Sequence, residues 1–263
     1  MLGSIVGDII GSVFELSSTD DYNFPLFSRA SAFTDATVLI CATADALLSK
    51  KSYSSVYQEY FKKYPGRGYG AGFHRWAASR TPNPPAYNSY GNGSAMRVSP
   101  VGFFFQSMDE TLAEAKKSAE VTHNHPEGIK GAMATAAAIF LARNLRSKKT
   151  IKKFIEDNYS YKLNKSIIEI KKNYSFSAIC QNTVPQAITA FLESADYESA
   201  IRNAIWLGGD SDTMACITGG IAQAYYTEIP DQIKVQALSL LPKSLTVIID
   251  EFNKKCNIST YYE

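Results

Sequence analysis

Apolar residues recur at helical spacing along most of the chain, and the two-residue alternation of a half-buried strand is hard to find. In residues 33–50, Val38, Leu39, Ala42, Leu47 and Leu48 fall on a helical period, with Thr34 and Asp35 at its start. Residues 109–121 turn Leu112, Ala115 and Ala119 inward against a polar face. Residues 125–146 are a long Ala-rich stretch, with Pro126 in the first turn, where a missing N–H does no harm. The same period predicts helices over 183–192, 197–207, 211–226, 231–240 and 243–253. An apolar helix is also expected at the start of the chain, ending at Glu15. No repeat or low-complexity linker divides the chain, so the expectation is a single all-α domain over 1–263.

Two departures from simple amphipathic helices stand out. Gly3, Gly7 and Gly11 lie in the first predicted helix, and Gly219 and Gly220 in a later one. A glycine inside a helix costs about 1 kcal/mol relative to alanine. Close approach of two helix backbones is the simplest compensation, and it is favoured over a ligand role. Residues 64–90 are irregular and dense in Gly, Pro, Asn and aromatics, and they lead directly into Gly91-Asn92-Gly93. A long structureless stretch inside a compact domain is often functional.

Composition narrows the function class. Hydrophobic residues make up 45% and charged residues 20%, which is ordinary globular usage. With 27 basic and 25 acidic residues the net charge is +2, so no bulk electrostatic drive toward nucleic acid or membrane follows. Cys41, Cys180, Cys216 and Cys256 form no Cys-x-x-Cys pair and read as reduced thiols. The most apolar run, 132–142, is far short of the roughly 20 residues that span a bilayer. Asp8 interrupts the apolar start, which makes it a poor signal peptide. A cytoplasmic enzyme or binding protein is expected.

Candidate chemistry gathers in three places. Thr34-Asp35-Ala36-Thr37 opens one helix, and Asp210-Ser211-Asp212-Thr213 opens another after Gly208-Gly209. Helix capping explains either cluster alone. It explains the pair less well, because only one of Asp210 and Asp212 can be a cap. Carboxylates and hydroxyls bunched beside glycines are hard oxygen ligands of the kind Mg²⁺ or Mn²⁺ takes, for one ion or two. The third place is Thr122-His123-Asn124-His125-Pro126, where metal or phosphate binding by the histidines competes evenly with turn formation and capping. A lone Glu15 at a helix end reads more simply as a solvated surface residue. Calcium-loop, nucleophile-elbow and phosphate-loop patterns are all absent.

Read together, these segments resemble the ADP-ribosylglycohydrolases, the dinitrogenase-reductase-activating type of ADP-ribosyl hydrolase. The resemblance is carried in order by Gly7-Asp8-Ile9-Ile10-Gly11 running to Glu15, by Phe33-Thr34-Asp35-Ala36-Thr37, by Ser89-Tyr90-Gly91-Asn92-Gly93-Ser94-Ala95-Met96-Arg97, and by Gly208-Gly209-Asp210-Ser211-Asp212-Thr213. The Thr122 to Pro126 segment is similar too. The resemblance implies a compact, orthogonally packed all-α fold and a site for two Mg²⁺ ions, with Mn²⁺ in some members. By family pattern, Thr34 and Asp35 with position 36 supply one half of the metal cage, and Asp210, Asp212 and Thr213 supply the other. Glu15 matches a glutamate that approaches the metals. Ser89, Tyr90, Gly91, Asn92 and Gly93 match the loop that holds diphosphate and ribose, with Tyr90 a candidate to stack on adenine and His123 lining the same pocket.

The implied substrate is ADP-ribose joined through its anomeric carbon to an acceptor on a protein or small molecule. Asp35 or Glu15 would take the proton from the attacking water, and the backbone N–H groups of the Gly91-Asn92-Gly93 turn suit a diphosphate, because glycine lets the chain approach closely. Arginine, serine, a small guanidine compound and a nucleic-acid end are all open as acceptors, although the near-neutral charge argues against a large nucleic-acid footprint.

One residue departs from the family pattern. Where the family reads Phe-Thr-Asp-Asp-Thr, this chain has Ala36, a methyl in place of a second carboxylate. Loss of an anionic ligand should weaken the metal pair and turnover. The chain would then be an engineered inactive variant, the reading the otherwise intact site favours, or a natural slow member. The alternative is a non-catalytic ADP-ribose-binding module; a phosphohydrolase cutting the diphosphate is a third, weaker reading.

Overall fold

Glycines allow two helices to meet backbone to backbone at the centre of the molecule. In this computed structural model, which describes residues 1–258, helix α1 (Leu2–Gly11) runs antiparallel to the helix of residues 211–226. A Cβ on Gly3 would stand 2.3 Å from the Gly219 carbonyl oxygen, and one on Gly7 would stand 2.1 Å from that of Ala215. A Cβ on Gly11 would come within 2.6 Å of the Asp212 Cα. The expected reason for these glycines therefore holds.

Around this pair lie, in chain order, α2 (Asp35–Ser49), α3 (Tyr53–Lys63), α4 (Ala71–Ala77), α5 (Gly93–Met96), α6 (Ser99–Phe104), α7 (Met108–Glu120), α8 (Pro126–Leu145), α9 (Lys148–Tyr159), α10 (Ile167–Lys171), α11 (Cys180–Leu192), α12 (Tyr197–Leu207), α13 (Ser211–Tyr226), α14 (Asp231–Ser239) and α15 (Lys243–Lys255). The expected all-α class is what the structure has: the described residues contain one isolated β-bridge, Gly91 to Ile179, and no strand. One hydrophobic cluster runs from Met1 to Phe252, and α13 is buried continuously from Ser211 to Ala224. No described helix is long and apolar enough to cross a membrane, and the four cysteines are unpaired.

Several expectations need correction. The first helix stops at Gly11, so Glu15 lies beyond it in an irregular segment. Residues 64–90 are not wholly irregular, because they contain α4. Helices α3 and α9 were not among the expected elements: α3 buries Tyr53, Val56, Tyr57 and Tyr60, a face built mostly of tyrosine, and α9 buries only Ile151, Ile155 and Tyr159 in a polar, charged stretch. Their starts are nonetheless ordinary, with Ser52 and Ser147 accepting the Ser55 and Thr150 N–H groups.

Candidate functional site

The contact of α1 with α13 brings two ends of the chain's acidic chemistry together. Gly208 and Gly209 both take positive φ, 82° and 81°, and turn the chain into α13. A side chain at Gly209 would also strike the Tyr174 ring 2.6 Å away. Asp210 sits at the N-cap position of α13 but its side chain makes no capping hydrogen bond. Its Oδ2 accepts from Asn92 Nδ2 at 2.8 Å instead. Asp212 Oδ1 accepts the N–H of Thr213 at 2.7 Å. Capping thus does not account for Asp210.

Helix α2 is aimed at the same place by Asp8. This buried carboxylate, on α1, accepts the N–H groups of Thr34 and Thr37 and both their hydroxyls, at 2.5 to 3.1 Å. Thr34 in turn caps α2 by accepting the Ala36 N–H at 3.2 Å. The Asp35 N–H donates to the Arg67 carbonyl at 2.7 Å, which ties the segment before α4 to the start of α2.

The result is a cavity of about 350 Å³. Glu15, Thr34, Asp35, Asp210, Asp212 and Thr213 line one wall. One carboxylate oxygen from each of Glu15, Asp210 and Asp212 lies within 4.8 Å of the other two. Asp35 shares the cavity but stands outside that triplet. None of these four carboxylates forms an ion pair with a lysine or arginine among the described residues. Burial pushes the Asp35 and Asp212 carboxyls well above the usual range, and repulsion from neighbouring carboxylates adds to it. Glu15 is raised by burial and then by Asp210 and Asp8. Crowded, largely buried oxygen donors with no ion-paired lysine or arginine among the described residues fit a divalent cation such as Mg²⁺ or Mn²⁺.

A sequence model of the ADP-ribosylglycohydrolases matches residues 1–258. The chain belongs to that family. Among curated relatives, "ADP-ribosylhydrolase ARH3" of Bos taurus is 27% identical over 86% of this chain and 83% of its own length. The Homo sapiens protein of the same name is also 27% identical, over 86% and 84%. "ADP-ribosylarginine hydrolase Tri1" of Pseudomonas putida is 24% identical over 86% and 69%. The fold matches a solved "ADP-ribosylglycohydrolase-related protein complex" at TM-score 0.64 and 21% identity, covering 91% of this chain and 95% of that one.

The other wall of the cavity comes from Ser89, Gly91, Asn92, Gly93 and His123. Tyr90 is not among the lining residues. It is 48% exposed, and its ring leans on His125 with 5.2 Å between centroids. The expected cradle of backbone amides also needs revision. The Gly91 N–H already donates to Ser89 Oγ, and the Asn92 N–H to the Ala178 carbonyl. Two of the three loop amides are therefore taken.

The two histidines point to different surroundings. His125 is a helix cap, its Nδ1 accepting the Glu127 N–H at 3.1 Å. His123 faces the cavity, and burial holds its imidazole well below its usual pKa. Ala36 is fully buried and is not among the lining residues.

Sequence reasoning passed over Arg67, Tyr87 and Phe176, which also line the cavity. The first two lie in the segment whose Gly- and aromatic-rich composition marked it as functional. Phe176, 56% exposed, carries no such mark. Arg67 is held by its guanidinium stacking 3.7 Å from the Phe33 ring centroid.

Proposed function

We propose that this protein hydrolyses the bond between the anomeric carbon of ADP-ribose and an acceptor, in the cavity between the acidic wall and the 89–93 loop. Membership of the ADP-ribosylglycohydrolase family and the names of its relatives support ADP-ribose removal. The observation that carries the reading is the triplet Glu15, Asp210 and Asp212 facing the glycine loop across one cavity. Those three, with Asp35, Thr34 and Thr213, would hold Mg²⁺ or Mn²⁺, which supplies positive charge to orient ribose hydroxyls and a more acidic water.

The chain's own residues have separate tasks. Asp35 and Glu15, both raised toward neutrality by burial and repulsion, are the candidates to accept the proton of the attacking water. A raised carboxyl is a stronger base once ionised, which suits this task. Asn92 keeps Asp210 in place through its side-chain amide and is itself fixed by Thr183 at 3.1 Å. The 89–93 loop and His123 would take the diphosphate and ribose; adenine would reach Tyr90 only outside the cavity, beside His125.

Ala36 supports a second reading. With a methyl where the family pattern has a carboxylate, the cage has fewer anionic ligands, and turnover is slow or absent while ADP-ribose still binds. Incubation with an ADP-ribosylated protein or small-molecule acceptor, with Mg²⁺ or chelator, decides among the readings. Release of intact ADP-ribose only with Mg²⁺ supports the hydrolase. Binding without release supports the module, and AMP as product would point to diphosphate cleavage.

A further inference from the structure

Arg97 is fully buried, yet it faces no carboxylate within ion-pair distance among the described residues. Its guanidinium sits 4.3 Å from the centroid of the Tyr57 ring. Nη2 is the nitrogen with partners: it donates to the Ser118 carbonyl at 2.8 Å and to Thr122 Oγ1 at 2.7 Å. Guanidinium can only donate. One lone pair of the Thr122 hydroxyl is therefore occupied by Arg97.

Thr122 is itself fully buried, so its single hydroxyl proton needs an acceptor. Among the described residues the atom within reach is His123 Nδ1, 2.7 Å away. If that nitrogen carried the imidazole proton, the Thr122 proton would be left buried with nothing to accept it. Nδ1 must accept, and in a neutral imidazole the proton then resides on Nε2. Nε2 is the ring atom turned to the glycine loop: ideal Cβ positions on Gly91 and Gly93 lie 3.5 and 3.4 Å from it. It has no hydrogen-bond partner within the described protein, and His123 lines the cavity.

We propose that Thr122, oriented by Arg97, is a positioning residue that locks His123 as the Nε2–H tautomer, so that the ring presents a neutral hydrogen-bond donor to an acceptor oxygen of ADP-ribose beside Gly91 and Gly93. This rests on the reading of the cavity as an ADP-ribose site. It also supplies a donor where the Gly91 and Asn92 amides are already committed. Burial, and after it the nearby Arg97 charge, oppose a second proton on the ring. The other aromatic group against His123 is Tyr87, with centroids 5.9 Å apart.

The test uses ¹⁵N-labelled protein and long-range ¹H–¹⁵N correlation of the histidine rings, with ADP-ribose titrated by calorimetry. In the unaltered protein His123 should show the Nε2–H pattern near neutral pH. Thr122→Val, nearly isosteric, should give the Nδ1–H form or a mixture and weaken ADP-ribose binding about five- to tenfold. Thr122→Ser should restore both. An Nδ1–H or doubly protonated ring in the unaltered protein would overturn the proposal, as would a Thr122→Val protein with unchanged tautomer. A changed tautomer with unchanged affinity would overturn the donor role. If none of the three proteins binds ADP-ribose, the functional reading fails, and the tautomer lock still stands or falls on the spectra.

Discussion

Asp8 Oδ2 accepts both the backbone N–H and the hydroxyl of Thr37, at 3.1 and 2.5 Å, across 29 positions of sequence. With its other oxygen on the Thr34 hydroxyl, this one carboxylate fixes the start of α2 against α1. Asp8 is therefore a structural anion beneath the acidic wall, not a member of it. Asp8→Ala should cost about 3 kcal/mol or more in denaturant unfolding, because several buried donors lose their acceptor at once. It should also loosen Mg²⁺ binding, through Thr34 and Asp35. Stability within experimental error of the parent would contradict this role.

Gly7 meets Ala215 with no room for a methyl group, whereas nothing lies within 4 Å of a Cβ on Gly70. Gly7→Ala should destabilise by roughly 2–3 kcal/mol by prising α1 from α13. The matched Gly70→Ala should stay within about 0.5 kcal/mol of the parent. Equal midpoints for the two variants in urea would remove the close-packing account.

Ala36 follows Asp35 in the first turn of α2, fully buried, at the position where the family pattern has a second carboxylate. Ala36→Asp is expected to raise Mg²⁺ affinity on the order of tenfold and to raise the rate of ADP-ribose release. Metal titration and turnover should change together. If neither moves, position 36 plays no part in metal binding.

The raised carboxyls set a direction for pH dependence. Glu15, Asp35 and Asp212 hold protons at a pH where the unfolded chain, at the ordinary values of 4.5 for Glu and 3.8 for Asp, has lost them. Native protein without metal thus binds more protons than unfolded protein, and the stability from these groups falls as pH rises. A bound cation reverses that penalty and competes with the protons. The Mg²⁺-induced gain in Tm should therefore be largest near about pH 8 and shrink as pH falls toward about 5. His123, with its lowered pKa, acts in the opposite direction, but equally with and without metal, so it cancels in the difference. A Tm gain that grows on acidification would contradict the proposed cation site.

Helix α12 and helix α13 lie at the residues the apolar period marks, because a long amphipathic or wholly buried helix writes its spacing locally. The glycine ladder was legible for a similar reason: glycine in a helix is costly unless a neighbour needs the space. Helix α3 was not, since its buried face is built from tyrosines that also suit a surface. Glu15 illustrates the other limit. By sequence alone a solvated helix end was the simpler reading, and only the family resemblance set it near a metal; in the structure it lies past the helix and meets Asp210 and Asp212.

The sequence by itself determined the helical class, the two acidic clusters and the glycine loop, because each depends on residue type and local spacing; the alanine at position 36 stood out only against the family pattern. Tertiary structure decided which carboxylates converge, that Asp8 supports α2 rather than lining the site, that His125 caps while His123 faces the cavity, and that two loop amides are already committed. Those outcomes depend on contacts between residues far apart in the chain, such as Asn92 with Asp210, and on which buried donor finds which acceptor. Local spacing carries no record of either.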